Sequence, residues 1–172
     1  MSMAGFEDAY QAVLAVRVRA SPPLDIRVAS IPGLTVLKLV SWADRPQDRS
    51  RDAADLAYIL ENFLDAGNLE RLYEEHLDLV EIEGFDYIRA GARLLGRDIV
   101  SMGEPETIGR VREILAGETA NESQYRLVQS MMAGRGEFDE ERENRFEELL
   151  NLLRELVKGI EYRWQAQRGP VR

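Results

Sequence analysis

Between Pro46 and Pro170 the chain contains a single proline, Pro105. Proline breaks a helix interior, because it removes a backbone donor and clashes with the preceding turn. A stretch of that length nearly free of it can run as helix, and its apolar residues recur at helical spacing. Phe146, Leu149, Leu150, Leu153, Val157, Ile160 and Trp164 form one stripe with a period of about 3.6 residues. The pattern predicts a helical back that closes in a long helix, capped by Asp139 and running to Trp164. Such a stripe has to be covered, either by folding back on its own domain or by pairing with a second copy or a partner chain.

The front reads differently. Val13, Val16 and Val18 lie in a β-branched run that ends before Ser21-Pro22-Pro23. Leu24, Ile26 and Val28 then alternate with Asp25, Arg27 and Ala29, the period-2 signature of a half-buried strand. This predicts two paired strands joined by a proline turn. A lone hairpin is a marginal unit, so a larger sheet or the helices are expected to cover it. Ser30-Ile31-Pro32-Gly33 starts a helix, with a serine cap and a proline in the first turn. That helix, Leu34 to Ala43, is apolar nearly all round. Further helices are expected over Arg51–Ala66 (closed by Gly67), Asn68–Val80, Phe85–Val100 with Ile88, Ala92, Leu95 and Ile99 inward, Pro105–Gly117 and Glu122–Ala133. The fold class is α+β, mostly α-helical, with a short N-terminal β-hairpin packed on a helical bundle. Residues 1–66 and 67–172 are expected to form the front domain and a helical domain.

Composition excludes several kinds of chemistry. There is no cysteine, and His76 is the only histidine. Disulfides, thiolate sites and multi-histidine metal centres are therefore excluded. No apolar run reaches the roughly 18 residues of a membrane span. Glu7 and Asp8 stand where a signal peptide needs bases, so a cytoplasmic protein without membrane attachment is expected. The net charge of −9 argues against nonspecific coating of nucleic acid. It leaves room for a local basic groove. Arg89, Arg93 and Arg97 recur every four residues as a ridge on one helix face, and with Arg45 and Arg49 they could line an RNA or nucleotide groove. The competing reading pairs them with acids of neighbouring helices.

All but two of the 22 basic residues are arginine; the exceptions are Lys38 and Lys158. Lys38 sits in the middle of the apolar helix 34–43, where an ammonium needs an anion or a route to water. Asp52 and Asp55 are three residues apart and so share a face near the start of the next helix, where the helix dipole favours anions. Arg45, Arg49 and Arg51 lie in and just after the connecting loop. Such a cluster can grip a phosphate chain, or it can be a structural ion-pair network in which Lys38 snorkels.

Ser30-Ile31-Pro32-Gly33-Leu34 running into Leu37-Lys38-Leu39, then Trp42-Ala43-Asp44-Arg45 and Arg51-Asp52-x-x-Asp55-Leu56, resembles the nucleotidyltransferase family that includes the AbiEii-type toxins. The segment from Phe85-Asp86-Tyr87 to Arg97-Asp98 is similar to the helical half of such proteins, so the resemblance covers residues 5–100. It implies transfer of a nucleotidyl group from an NTP to an acceptor such as RNA, with Mg²⁺. It also implies that Lys38 contacts the nucleotide phosphates and that Asp52 or Asp55 supports the site and its acceptor side. The setting is that of a toxin-antitoxin-like system.

The family's metal chemistry rests on a Gly-Ser turn followed by an Asp-x-Asp pair, with a third carboxylate on a later strand. The chain has no Gly-Ser dipeptide and no Asp-x-Asp. Gly5-Phe6-Glu7-Asp8-Ala9 resembles the segment after the third carboxylate, so the metal-binding half is expected upstream of Met1 and the chain is expected to be inactive alone. No residue here is assigned as a metal ligand. The alternative is a non-catalytic helical interaction or regulatory module. Arg71 and His76 also share the Arg-x4-His spacing of HEPN ribonucleases. Leu72 replaces the polar neighbour of that arginine and the segment is acidic, which favours a plain surface histidine.

Overall fold

The structure, a computed structural model, describes residues 5–120, 124–133 and 139–168. It is mostly helical with one hairpin at the front. In chain order the elements are α1 (Phe6–Gln11), β1 (Val13–Arg19), β2 (Leu24–Ala29), α2 (Ile31–Asp44), α3 (Ser50–Asn62), α4 (Leu69–Glu75), α5 (Tyr87–Met102), α6 (Pro105–Thr119), α7 (Arg126–Met131) and α8 (Asp139–Arg168). The expected start at Glu122 and the Asp139 cap side chain lie outside the described residues. No helix among the described residues is long and apolar enough to cross a membrane.

The helix boundaries follow local chemistry. The Ser30 hydroxyl accepts from the Gly33 N–H at 3.3 Å and opens α2, with Pro32 in its first turn. The helix expected over Arg51–Ala66 ends earlier, at Asn62. Ala66 leaves the helical region and Gly67 takes φ +93°, so the chain widens into a turn over Leu64–Asn68. The Asn68 amide then donates to the Phe63 carbonyl at 2.8 Å and satisfies one of the acceptors freed there. The helix expected over Asn68–Val80 is also broken. It becomes α4 and a tight turn at Leu77–Leu79, separated by His76 at φ −132° and ψ 42°. Asp86 caps α5 by accepting from the Arg89 N–H at 2.8 Å. Ile88, expected to face inward, is 41% exposed. The first turn of α5 stands outside the stretch the other helices cover, and burial begins at Ala90.

One hydrophobic core takes side chains from both sides of residue 66. Leu39 and Trp42 of α2, Leu56 and Leu60 of α3, Leu94 and Leu95 of α5 and Leu153 and Ile160 of α8 all enter it. Each such side chain contributes about 1.5–3 kcal/mol by leaving water. The α8 stripe is consumed within the chain: Leu149, Leu150, Leu153, Ile160 and Trp164 are buried, and Phe146 and Val157 are partly so. Leu152 and Leu156 are buried as well, so α8 is covered over a wider arc than the stripe alone implies. α5 runs along α8 and is buried nearly all round.

At the front, Asp8 of α1 is buried and reaches the start of α6. One of its oxygens accepts from the Glu104 N–H at 2.8 Å and the other from the Thr107 hydroxyl. Glu104, the residue at the cap position, makes no side-chain cap of its own. β1 and β2 pair antiparallel as expected, with Leu14 opposite Val28 and Val16 opposite Ile26, and a bulge between Arg17 and Arg19. The expected cover is not there among the described residues. Except for Val13 the strands are exposed along their whole length.

Candidate functional site

α2 and α3 pack side by side across the loop 45–49, and this brings the charge of α2 against the first turns of α3. The Lys38 Nζ donates to Asp52 Oδ1 at 3.1 Å and to Asp55 Oδ2 at 2.6 Å. Arg49 Nη1 approaches the other oxygen of Asp52 at 3.4 Å. The Lys38 and Asp52 side chains are 17% and 16% exposed, whereas Asp55 is 47% exposed and faces solvent. Burial pulls the Lys38 pKa down, but the hydrogen bonds to Asp55 and Asp52 and the charges of both outweigh it and hold the ammonium above its usual value. An ammonium has three donors. Two are engaged here, which leaves one for an incoming acceptor.

Beside this cluster lies an open cleft of about 340 Å³ between α2 and α3. Ile31, Leu34, Ile59 and Phe63 give it apolar walls, and Lys38 and Asp55 belong to its lining. An apolar cleft with a few convergent polar groups is the ordinary form of a small-molecule site. The alternation of apolar residues signals the two helices but not the gap left between them.

The other arginines singled out in the sequence fall into two groups. Arg45 and Arg51 are exposed and make no ion pair among the described residues, and the same holds for Arg89. Arg93 turns inward and clasps Glu155 of α8, whose other oxygen is 2.7 Å from Lys158. Arg97 is buried: it binds Asp78, lies 3.1 Å from His76 Nδ1, and stacks its guanidinium 4.1 Å above the ring of Tyr162. The three do not form one exposed ridge.

A second charged cluster is invisible to local sequence patterns, because its partners come from different helices. Arg71 of α4 forks onto Asp98 of α5 at 2.8 and 2.9 Å and also reaches Asn68. The acid holds the Arg71 guanidinium above its usual pKa against the opposing effect of burial. An arginine has no acceptor, so His76 Nδ1 accepts from Arg97 and the ring proton sits on Nε2. Burial, then the positive charges of Arg97 and Arg71, lower the His76 pKa. Arg71 and His76 are each engaged by a residue of α5, not by one another.

The described residues do not fit a divalent metal. No group of three or more histidine or acidic side chains is arranged to hold one. Asp52 and Asp55, the one carboxylate pair singled out for a site, share an ammonium instead.

No curated protein and no solved structure matches the chain significantly. Residues 4–166 match the family described as nucleotidyl transferase AbiEii toxin, type IV TA system. The match reaches beyond the resemblance over residues 5–100 and takes in the hairpin, the Lys38 cluster and α8 together. The chain therefore belongs to the AbiEii nucleotidyl transferase toxin family.

Proposed function

We propose that this chain supplies the nucleotide-holding cluster and the helical body of a cytoplasmic nucleotidyl transferase toxin, and that it does not catalyse transfer alone. In the complete reaction an acceptor hydroxyl, such as one on RNA, attacks the α-phosphorus of an NTP. The α–β phosphoanhydride bond breaks, pyrophosphate leaves, and the hydroxyl proton is lost. Mg²⁺, held by carboxylates outside this chain, would neutralise the triphosphate. The observation that carries the reading is Lys38, held charged between Asp52 and Asp55 at the wall of the α2–α3 cleft. The third donor of Lys38 meets a phosphate oxygen, and the apolar cleft takes the base. Arg45 and Arg51, without acidic partners among the described residues, supply further positive charge on the same loop and helix. Asp52 and Asp55 keep the ammonium in place. The absence of Gly-Ser and Asp-x-Asp from the sequence supports inactivity in isolation.

A second reading, a non-catalytic interaction or regulatory module with an antitoxin or another partner chain, is favoured by the hairpin, whose apolar side chains are exposed among the described residues. RNA contact through Arg89, Arg93 and Arg97 would rest mainly on Arg89, since the other two are held in ion pairs.

The test uses the full chain with Mg²⁺ or Mn²⁺, labelled NTPs, and RNA or protein acceptors. No transfer is expected. NTP binding measured by calorimetry is expected to weaken by about tenfold in Lys38→Ala, one charge-assisted hydrogen bond's worth. Robust transfer by the chain alone would overturn its inactivity. NTP binding indifferent to Lys38→Ala would remove the nucleotide site.

A further inference from the structure

The α2–α3 cleft has two unlike ends. Counted outward from the loop 45–49, Lys38 and Asp55 stand at the first level, Leu34, Tyr58 and Ile59 at the next, and Ile31, Asn62 and Phe63 beyond them. Ile31 precedes Lys38 by seven residues, and Asn62 follows Asp55 by seven. At a helical rise of about 1.5 Å per residue the first and last levels are about 10 Å apart. A nucleotide laid along the cleft with a phosphate at Lys38 therefore passes its ribose over Leu34 and Ile59 and brings its base to the far end. The lining there is apolar except for Asn62.

Asn62 cannot present either half of its amide at will. Its nitrogen donates to the Tyr58 carbonyl, one turn back on α3, at 2.8 Å. A backbone carbonyl only accepts, so the NH₂ group must face it and Oδ1 must face away. Oδ1 meets no donor among the described residues. The far end of the cleft thus offers one acceptor, fixed in orientation by the helix itself. The Tyr58 hydroxyl both donates and accepts, so it does not choose between bases.

Bases differ in what they bring to such an acceptor. Cytosine and adenine carry an amine on the pairing edge, whereas uracil and hypoxanthine carry a keto oxygen at the corresponding position. The amine donates to Oδ1. The keto oxygen sets acceptor against acceptor and leaves both unmet beside apolar walls.

We propose that Asn62 reads the base in this cleft and selects a nucleotide whose base presents an amine there, cytosine or adenine, over its keto counterpart. The selection rests on the nucleotide reading of Lys38, because the phosphate contact sets where the base lies.

The probes are two matched pairs, CTP with UTP and ATP with ITP, titrated with Mg²⁺ into the full chain by calorimetry. Within each pair the amine-bearing nucleotide is expected to bind at least about tenfold more tightly. Asn62→Leu is expected to bring it down to the level of its partner, with helix content unchanged by circular dichroism. Asn62→Asp keeps acceptor oxygens, so it should weaken all four nucleotides by added negative charge and still keep the preference. Equal binding within each pair, with Lys38→Ala still weakening all four, would overturn the base reading and leave the phosphate contact standing. A preference that Asn62→Leu does not move would overturn it as well. Binding of none of the four, or binding indifferent to Lys38→Ala, would overturn both.

Discussion

Gly96 of α5 lies against Gly159 of α8, and there the two helices touch backbone to backbone. A Cβ on Gly96 would come within 2.3 Å of the Leu156 carbonyl oxygen and 3.1 Å of the Gly159 Cα. A Cβ on Gly159 would come within 1.9 Å of the Arg93 carbonyl oxygen. These walls are main chain and cannot rotate away, so only separation of the helices makes room. Gly159→Ala is expected to destabilise by about 1–3 kcal/mol or more, as overpacking of a rigid site does. Gly109 of α6 is exposed, with nothing within 4 Å of its would-be Cβ. Gly109→Ala is expected to stabilise by about 0.4–1 kcal/mol. Urea unfolding of both variants checks the contrast, and equal effects would remove the close approach.

Lys38 and its two acids form an unequal trio. Asp52 is well covered, with Arg49 as a longer second contact, whereas Asp55 is half in water. Lys38→Met strands the covered carboxylate and is expected to cost about 1–2 kcal/mol. Asp55→Asn is expected to cost well under about 1 kcal/mol, since water screens that contact. Adding Asp52→Asn to Lys38→Met should recover part of the loss, because the covered carboxylate left without its ammonium is gone and only the half-exposed Asp55 has lost its partner. A double-mutant cycle by chemical denaturation measures this coupling. Strict additivity of Lys38→Met and Asp52→Asn would mean that the pair is not energetically joined.

This trio was legible in the sequence because it depends on short-range rules: a lysine on an apolar helix, and acids three apart at the start of the next. Arg93 and Arg97 show where such rules stop. Spacing of four places them on one side of α5 but does not say what lies opposite, and α5 is covered nearly all round. Their side is therefore the one that meets Glu155 and Asp78. His76 breaks the expected acidic helix without any local breaker beside it, and its ring is held by Arg97, which is 21 residues away. The hairpin's alternation signals strands correctly. It cannot say whether the apolar face finds a neighbour, since period 2 looks the same on a covered and an uncovered strand.

Asp8 links the two ends of the described front. Its carboxylate supplies the cap that Glu104 does not provide for α6. Asp8→Ala is expected to cost about 1–2 kcal/mol, the value of a lost helix cap with a buried donor left unmet. Glu104→Ala should be nearly neutral, because the side chain makes no cap bond. Native-state hydrogen exchange should show the Glu104 amide losing protection in Asp8→Ala. An unchanged amide there would show that the cap is supplied by something else.

His76 makes stability depend on pH in a direction fixed by its surroundings. Burial, Arg97 and Arg71 lower its pKa in the folded chain, while the unfolded chain keeps the ordinary value of about 6.5. As the pH falls through about 6.5 the unfolded chain therefore takes up a proton before the folded chain does, and stability declines. The decline ends below the folded pKa, where both states are protonated. Protonation also removes the acceptor that Nδ1 offers Arg97. Asp78 contributes separately and at lower pH: the hydrogen bond from Arg97 lowers its pKa despite burial, so its stabilisation is present above the ordinary aspartate value of about 3.9 and is lost on stronger acidification. His76→Gln keeps an acceptor for Arg97 but cannot titrate. Urea midpoints measured from about pH 8 to about pH 5 should fall for the native chain and stay nearly level for His76→Gln. Equal slopes for the two proteins would mean that the histidine does not set this dependence.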